Sequence, residues 1–529
     1  VSTRSLNPLD ASWLLVESRD TPMHVGGLIQ LVLPDDAPAD SLRALLAEFR
    51  SCRDFAPPWN QRLRRPGLKG LIPRWDETDQ IDLEHHVRLS ALPQPGGERE
   101  LGQLIARLHS QPLDLKRPPW ECELIEGLDG RRFAIYIKMH HSLIDGISGM
   151  KMLVRSMATT AEASLKLPPF WSMGSPPNAR MRGADAAPTV TQVIEGAIGA
   201  VRGQLGTLPD VARAFASMFG LGRKPGEALA LPFDTPMSPI NGRIRGPRRF
   251  ATQLFEIARL KKVAEASGAT LNDVVLAICG AALRRFLDEL DQLPRKSLTA
   301  GIPVSVRPKD DEGAGNAITF IIGTLGTDIA DPRERLAAIS ASTRRAKEHV
   351  AALPRQAMMQ YTVMLMTPYI VSLLTGVGGR TRPMFNVTIS NVPGPDKPLY
   401  FRGARMEAAY PVSLVSHGQA LNITCQSYAG NLAFGFTGCR DSLPHMQRIA
   451  TYTGEALAEL ERALREPAPS KRRPRKPAAA AKSAGGTRPT QVAKPATPAL
   501  VLAPKRAAKR GKTAAPAAPA RPRGKRVAR

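Results

Sequence analysis

Cysteine is scarce and scattered in this chain. Five residues, Cys52, Cys122, Cys279, Cys425 and Cys439, occur among 529, with no CxxC or CxxH spacing. An odd, dispersed set does not build a disulfide framework and fits thiols kept reduced in the cytoplasm. The histidines show no ligand spacing with them either, so no metal site is expected. Long hydrophobic runs are also missing. No uninterrupted stretch of about 20 apolar residues is present, so no transmembrane helix is expected. The nearest approach, residues 358–377, is interrupted by Pro368 and punctuated by Gln360, Thr362 and Ser372. The opening Val1-Ser-Thr-Arg-Ser5 leads into polar and turn residues without an apolar h-region, so no secretory signal is expected.

Acidic residues are absent from 467 onward, where 18 Lys and Arg accumulate. Removing those 18 from the net charge of +26 leaves +8, so the preceding 466 residues form a mildly basic body. The segment 466–529 is rich in Ala, Pro, Lys and Arg, as in Lys471-Arg-Arg-Pro-Arg-Lys476, and is expected to be a disordered tail. Such tails bind polyanions by releasing counterions. Nucleic acid, anionic lipid headgroups and a charged granule surface all remain open as partners. The tail carries no aromatic residue, so it lacks the stacking platform of a base reader.

At this length two or three units are expected, and 43% hydrophobic content is enough for real cores. Residues 1–160 read as an α/β unit, with helices at 40–51 and 101–110 and strands at 120–126 and 133–140. Residues 161–247 turn rich in Pro and Gly around a helical stretch, 190–219, and read as a crossover. Ile194, Ile198, Val201 and Leu205 share one face there. Packing on the body and lying on a membrane surface both fit that face. Residues 248–465 read as a second α/β unit. Its helix 271–287 opens on a capping-box pattern, Thr270 with Asp273. Strands follow at 298–306, 317–325 and 385–390, then a hairpin of 421–428 and 432–437 around Gly430-Asn431. Helices at 333–350 and 445–464 complete it.

Chemistry concentrates at His140-His141-Ser142-Leu143-Ile144-Asp145-Gly146, an HHxxxDG motif at a strand-to-helix junction. A neutral imidazole takes a proton from a hydroxyl as that hydroxyl attacks a carbonyl. Asp145 is placed to orient a ring, to pair with an arginine or to cap the helix. If the strand register runs through, His141 joins the face of Phe133, Ile135, Ile137 and Met139, and His140 points the opposite way. The bland alternative is a satisfied structural pair with Asp145 only a cap. It is weaker for two histidines, an Asp and a Gly at such a junction than for a lone histidine. Ser142 invites a covalent mechanism but lacks a GxSxG elbow, so direct transfer is expected.

HHSLIDG resembles the motif of CoA-dependent acyltransferases and condensation domains. Further segments narrow the resemblance to the bacterial wax ester synthase/acyl-CoA:diacylglycerol acyltransferase family, over about residues 5–462. These are Leu6-Asn-Pro-Leu-Asp-Ala-Ser-Trp13, Pro22-Met-His-Val-Gly-Gly27, Pro118-Pro-Trp-Glu121, Leu271-Asn-Asp273, Pro303-Val-Ser-Val-Arg307 and Ser390-Asn-Val-Pro-Gly-Pro395. Pro119 stands where the family usually has Leu, and Ser142 where Ala is common; neither change removes a titrating group.

The resemblance implies an α/β fold of two chloramphenicol-acetyltransferase-like domains enclosing a tunnel. It implies transfer of a long-chain acyl group from acyl-CoA to diacylglycerol or a long-chain fatty alcohol, yielding triacylglycerol or wax ester. His141 is the expected base, with His140 and Asp145 in support. Gly146, Trp120, Glu121, Asn272, Asp273, Arg307, Ser390, Asn391, Pro393 and Gly394 are the expected supporting residues. Trp120 is expected to pack near the site, Glu121 to hold a turn, and Arg307 to pair with Asp145. Asp273 reads as a helix cap, and 390–395 as a turn that brings backbone close to a ligand. No cofactor is expected, acyl-CoA being a substrate. Hydrophobic substrates imply a cytoplasmic protein associated peripherally with the inner membrane or lipid inclusions. Acylation of another hydroxylated lipid or polyketide, and a non-catalytic granule or polyanion binder acting through the tail, are the alternatives.

Overall fold

Alternating apolar residues in nine-residue strands, and apolar stripes on the helices between them, build two six-stranded sheets. The computed structural model describes residues 3–6, 8–64, 73–144, 146–174, 230–305, 318–352 and 355–466. The helical stretch expected at 190–219 and the basic tail lie outside them.

The first half runs β1 (Thr3–Ser5), α1 (Pro8–Val16), β2 (His24–Val32), α2 (Ser41–Ser51), β3 (Gln61–Arg64), β4 (Arg74–Glu77), α3 (Leu83–His86), β5 (Val87–Ala91), α4 (Glu98–His109), β6 (Trp120–Glu126), β7 (Arg132–His140), α5 (Gly146–Arg155) and α6 (Ala161–Leu165). The second runs β8 (Arg248–Glu256), α7 (Ile257–Ser267), α8 (Leu271–Asp288), β9 (Thr299–Ser305), β10 (Ile318–Thr324), α9 (Pro332–Ala351), α10 (Arg355–Leu374), β11 (Val387–Val392), β12 (Tyr400–Phe401), β13 (Ala404–Val412), β14 (Leu421–Tyr428), β15 (Asn431–Cys439) and α11 (Gln447–Arg465).

The sheet orders are β12-β13-β2-β7-β6-β5 and β10-β9-β11-β14-β15-β8, with a small sheet β1-β4-β3 beside the first. The halves are interlocked. Strands β12 and β13 come late in the chain, yet β13 pairs antiparallel with β2, Tyr410 facing Leu28. Contact between the two sheets is close: a Cβ on Gly435 of β15 would fall 1.8 Å from the carbonyl oxygen of Pro411 on β13.

Alternation along β7 decides what covers each face. Phe133, Ile135, Ile137 and Met139 pack into a core with Phe49, Trp59, Trp120, Met152 and Leu153. Ala134 and Tyr136 face the other way, against Leu101, Ile105 and Leu108 of α4 and against Phe250 and Ala433 of the second half. Each large apolar side chain so buried contributes about 1.5–3 kcal/mol. Helix α8 is the centre of the second core, with Val274, Leu276, Ile278 and Leu283 fully buried. It starts as its capping box predicts: Thr270 Oγ1 accepts from Asp273 N–H (3.2 Å), and Asp273 Oδ2 accepts from Thr270 N–H (3.0 Å).

The hairpin turn differs by one residue from the sequence expectation. Its two central residues are Ala429 and Gly430, with φ of 43° and 84°, and Asn431 already pairs with Tyr428. A two-residue turn of this kind needs positive φ at both central positions, which Gly supplies at no cost and Ala adopts under constraint from the flanking strands. Among the described residues, no single helix is long and apolar enough to cross a membrane.

Candidate active site at the end of the seventh strand

Strand β7 lies between β2 and β6, with His24 opposite His140 and Trp120 opposite Met139. The strand ends at His140, whose N–H donates to the Pro119 carbonyl (2.9 Å). His141 lies beyond the strand in a turn, and its N–H donates to Met23 (2.9 Å). Leu143 N–H closes the turn on the His140 carbonyl (2.9 Å). The register therefore does not run through the pair. His140 keeps the face of Tyr136 and Lys138, where the halves meet, and the turn alone sets the direction of His141.

Three glycines allow helix and strand to seat closely around this turn. A Cβ on Gly149 would sit 2.6 Å from Met139 Sδ, and one on Gly27 would sit 2.9 Å from Met150 Sδ. One on Gly26 would meet the Ile137 carbonyl at 2.8 Å and the Tyr136 ring at 2.9 Å. Gly146, first in α5, is different: an added Cβ would meet only Val25, at 3.9 Å.

The two imidazoles occupy different environments. His140 is fully buried, and both ring nitrogens are engaged. Its Nδ1 accepts from Ser142 N–H (3.1 Å) and lies 2.5 Å from Ser142 Oγ. With Nδ1 accepting, Nε2 carries the proton and donates to Glu17 Oε2 (3.1 Å). The other Glu17 oxygen, Oε1, is buried without a hydrogen-bond partner among the described residues. His141 is half-buried, and its ring packs on Trp13 of α1 with centroids 4.4 Å apart. Trp13 ends the Leu6–Trp13 segment, so that segment builds one wall of the turn.

Behind His140 on the same face lies a buried polar network. Lys138, only 1% exposed, donates to the Leu108 (3.1 Å) and Gln111 (2.9 Å) carbonyls and pairs with Glu121 (3.2 Å). Glu121 also takes Arg88 Nη2 at 2.6 Å. Burial alone would raise the Glu121 carboxyl, but Lys138 and Arg88 outweigh it and hold it below the usual carboxylate range. Glu121 thus neutralises a buried ammonium that ties the end of α4 to β7. His109 Nε2 donates to the Ser413 carbonyl (3.1 Å), and its Nδ1 accepts from Tyr136 Oη (2.7 Å). Ser413 follows β13, so this imidazole links helix, strand and second half. Burial, with Arg248 and Lys138 nearby, pushes His109 down to about 3, a neutral ring. His24 Nε2 donates to the His109 carbonyl (2.9 Å), and burial holds it well below its ordinary value.

The other expected residues divide among three places. Trp120 is fully buried, donates Nε1–H to the Trp59 carbonyl (2.7 Å) and stacks on Trp171 (5.7 Å). It braces the strand beside Met139. Asn272 and Asp273 lie in the first turn of α8, in the other half. The Asp273 carboxylate also accepts from Ser340 Oγ (2.9 Å) and Thr343 Oγ1 (2.6 Å), which ties α9 to α8. Ser390 and Asn391 sit on β11, opposite Thr424 and Cys425 of β14. Pro393 is exposed, and Gly394 donates to Ser427 Oγ (3.0 Å). A Cβ on Gly394 would fall 2.1 Å from the Ser427 carbonyl oxygen, so the close approach here is to the neighbouring strand. Asp145 and Arg307, and their expected pairing, lie outside the described residues. Glu17, Ser142 as a partner of His140, His24, His109 and Lys138 were missed as site residues. His24 had a signal, its place in Pro22–Gly27; Glu17 and His109 stand in no motif and are brought in by folding alone. Among the described residues, no three His, Cys, Asp or Glu side chains converge as a metal site.

Comparison with known proteins agrees along the chain. Residues 6–275 match the wax ester synthase/diacylglycerol acyltransferase catalytic domain, and residues 314–461 match the C-terminal domain of the same family. A putative diacylglycerol O-acyltransferase of Mycobacterium tuberculosis is 48% identical over 491 residues, covering 87% of this chain and 97% of the relative. An O-acyltransferase of Acinetobacter baylyi is 37% identical, covering 87% and 97%. The solved wax ester synthase/diacylglycerol acyltransferase of Marinobacter aquaeolei superposes with a TM-score of 0.70 at 38% identity, over 88% of this chain and all of that one. A condensation domain of the calcium-dependent antibiotic synthetase, 17% identical with a TM-score of 0.53, shares the fold, covering 88% and 97%. With its histidine pair at a strand end and both domains matched in order, the chain belongs to the wax ester synthase/diacylglycerol acyltransferase family of O-acyltransferases.

Proposed function

We propose that this chain transfers a long-chain acyl group from acyl-CoA to the hydroxyl of diacylglycerol or of a long-chain fatty alcohol, with His141 as general base. The observation that carries this is the unequal burial of the two imidazoles. His140 is sealed in, with one nitrogen on Ser142 and the other on Glu17, so it positions the turn and does not touch substrate. His141 is the half-buried member, so it is the imidazole left to meet a substrate hydroxyl.

Neutral His141 takes the proton as the hydroxyl oxygen attacks the thioester carbon. The C–O bond forms, the carbonyl becomes an oxyanion, and its collapse breaks the C–S bond. The departing thiolate recovers the proton from the His141 imidazolium, so acyl-CoA and alcohol become ester and CoA with no cofactor in the balance. General-base help of this kind contributes roughly 10²–10⁴-fold. The leaving thiol, with a pKa near about 8.5 by analogy with cysteine, needs little acid assistance. Room above Gly146 lets the thioester pass close to backbone. The two substrates approach through a tunnel between the halves. Lipid substrates place the protein in the cytoplasm, peripheral to the inner membrane or lipid inclusions. The basic tail adds sequence-independent, salt-sensitive attraction to polyanionic surfaces.

The test is CoA release from palmitoyl-CoA with dioleoylglycerol or hexadecanol, run beside His141→Ala. Release that requires an alcohol and disappears in the variant supports the assignment and ranks the acceptors. Equal release by the variant removes His141 as base. No release with either acceptor points to another hydroxylated lipid or polyketide, or to a binding role centred on the tail.

A further inference from the structure

Helix α10 ends in apolar side chains that the fold leaves uncovered. Val371 is 44% exposed, Leu374 41%, and Val377 in the following turn 39%. Apolar residues this exposed are ordinary when single; three within seven positions form a protruding patch. Arginines surround it. Arg243 Nη1 donates to the Gly376 carbonyl (2.9 Å), and its Nη2 lies 3.2 Å from His417 Nε2. The turn closes on the same place, since a Cβ on Gly378 would meet the His417 carbonyl oxygen at 2.9 Å. Arg245, Arg380 and Arg382 are exposed beside these segments.

None of these four guanidinium groups has a carboxylate partner among the described residues. The acidic groups nearby are already engaged: Asp20 accepts from Gly246 N–H (3.0 Å), and Asp441 pairs with Arg440 (3.3 Å). His417 is held below its ordinary value by burial and by Arg243, so the charge of the cluster comes from guanidinium groups.

We propose that the end of α10 and the turn after it, with Arg243, Arg245, Arg380 and Arg382, dock the protein on an anionic lipid surface. Apolar side chains enter the acyl boundary while the arginines meet headgroup phosphates, the pattern of an interfacial anchor. Charge complementarity selects this occupant, because a neutral protein partner would leave four guanidinium groups at its rim without a counter-charge. The surface rests on the lipid-substrate reading above, and it would deliver acceptor to the enzyme without any spanning helix.

The test uses the full chain and vesicles of phosphatidylcholine with or without phosphatidylglycerol. Val377→Cys carries an environment-sensitive fluorophore, with the parent chain labelled at half-buried Cys52 as baseline. The label at 377 should be quenched by bilayer-embedded bromolipid only on anionic vesicles. Arg380→Glu with Arg382→Glu should weaken that signal roughly 10-fold or more, and Leu374→Glu should abolish it. The tail contributes to sedimentation with the vesicles but does not bury position 377, so the label separates the two. An unquenched label on vesicles that hold the chain overturns the proposal. So does competition by adenosine 3′,5′-bisphosphate with a raised KM for acyl-CoA in the arginine variants, which would assign the arginines to the CoA nucleotide. CoA release from a short acyl-CoA with a water-soluble alcohol should persist in every variant. Its absence in the parent would defeat the acyltransferase reading instead of the surface.

Discussion

Strands β7 and β15 are both nine residues long, both interior to a six-stranded sheet, and both followed by a turn and a helix. Their ends differ completely. β7 finishes on Lys138, Met139 and His140, and its buried polar atoms are held by Glu121, Glu17, Ser142 and two main-chain carbonyls. β15 finishes on Thr437, Gly438 and Cys439, backed by Phe434, Phe436 and the apolar face of α11. Burial of the Cys279 and Cys425 thiols pushes their pKa values up and leaves both inert. Position at a strand end is thus not enough to make a site. The site needs polar groups whose desolvation has been offset by partners chosen for them.

Five experiments bear on that contrast. The largest effect should come from His141→Ala, with kcat down by roughly 10²–10⁴-fold and a near-parent unfolding curve, while Cys439→Ala at the end of β15 leaves kcat unchanged. Equal losses would erase the distinction between the two strand ends. Lys138→Ala removes one of the two cations on the buried Glu121 carboxylate and the donor to the Leu108 and Gln111 carbonyls, and should cost about 3–5 kcal/mol in urea unfolding. Asp273→Asn, which loosens only α8 against α9, should cost about 1–3 kcal/mol. A reversal of that order would mean that the buried charges are not what holds the first half. Gly146→Ala should fold normally, since the new methyl meets Val25 at 3.9 Å, yet lower kcat by up to about 10²-fold through misplacement of the thioester. Full activity would remove the close approach of substrate from the mechanism.

Glu17→Ala should lower kcat roughly 10–100-fold with KM little changed, as for other carboxylates that hold a catalytic-site imidazole. Glu17→Gln keeps an acceptor for His140 Nε2–H and should recover much of the loss; no difference between the two variants would leave Glu17 a filler. The smallest effect is on pH dependence. Folded His109 and His86 lie at about 3 and about 4, both below the unfolded value of about 6.5. The folded state therefore binds fewer protons than the unfolded state across that interval. The stability these rings contribute is complete above pH about 6.5 and is lost as pH falls toward their folded values, at most about 1.4 kcal/mol per pH unit for each ring. His109→Gln should flatten the slope of unfolding free energy between pH 6.5 and 5, and an unchanged slope would show that His109 does not titrate with folding.

Much of the fold was legible locally. Strand 120–126 and helix 271–288 were read nearly to their ends, because period-two alternation and a capping box are properties of adjacent residues. Strand β13 went unread: Ala404–Val412 contains a bulge between Met406 and Ala408, and its place beside β2 depends on a chain segment almost 400 residues earlier. Of the site, the motif histidines and Trp120 were legible, while the purpose of Glu121 was not. A carboxylate expected to hold a turn proved to be the counter-charge of Lys138, and nothing in the spacing of 121 and 138 announces that pair.

The sequence by itself determined the chemistry available: two imidazoles and a carboxylate in one short motif, alternating α and β segments, five scattered cysteines and an acid-free basic end. Those follow from residue type and short spacing, which local backbone geometry turns into periodicity and caps. Only the tertiary structure decided which histidine is sealed and which stays half-buried. That choice depends on where β7 stops, on Met23 and Pro119 gripping the turn, and on Glu17 arriving from the end of α1. Each is a contact between segments whose separation along the chain carries no information about their distance in space.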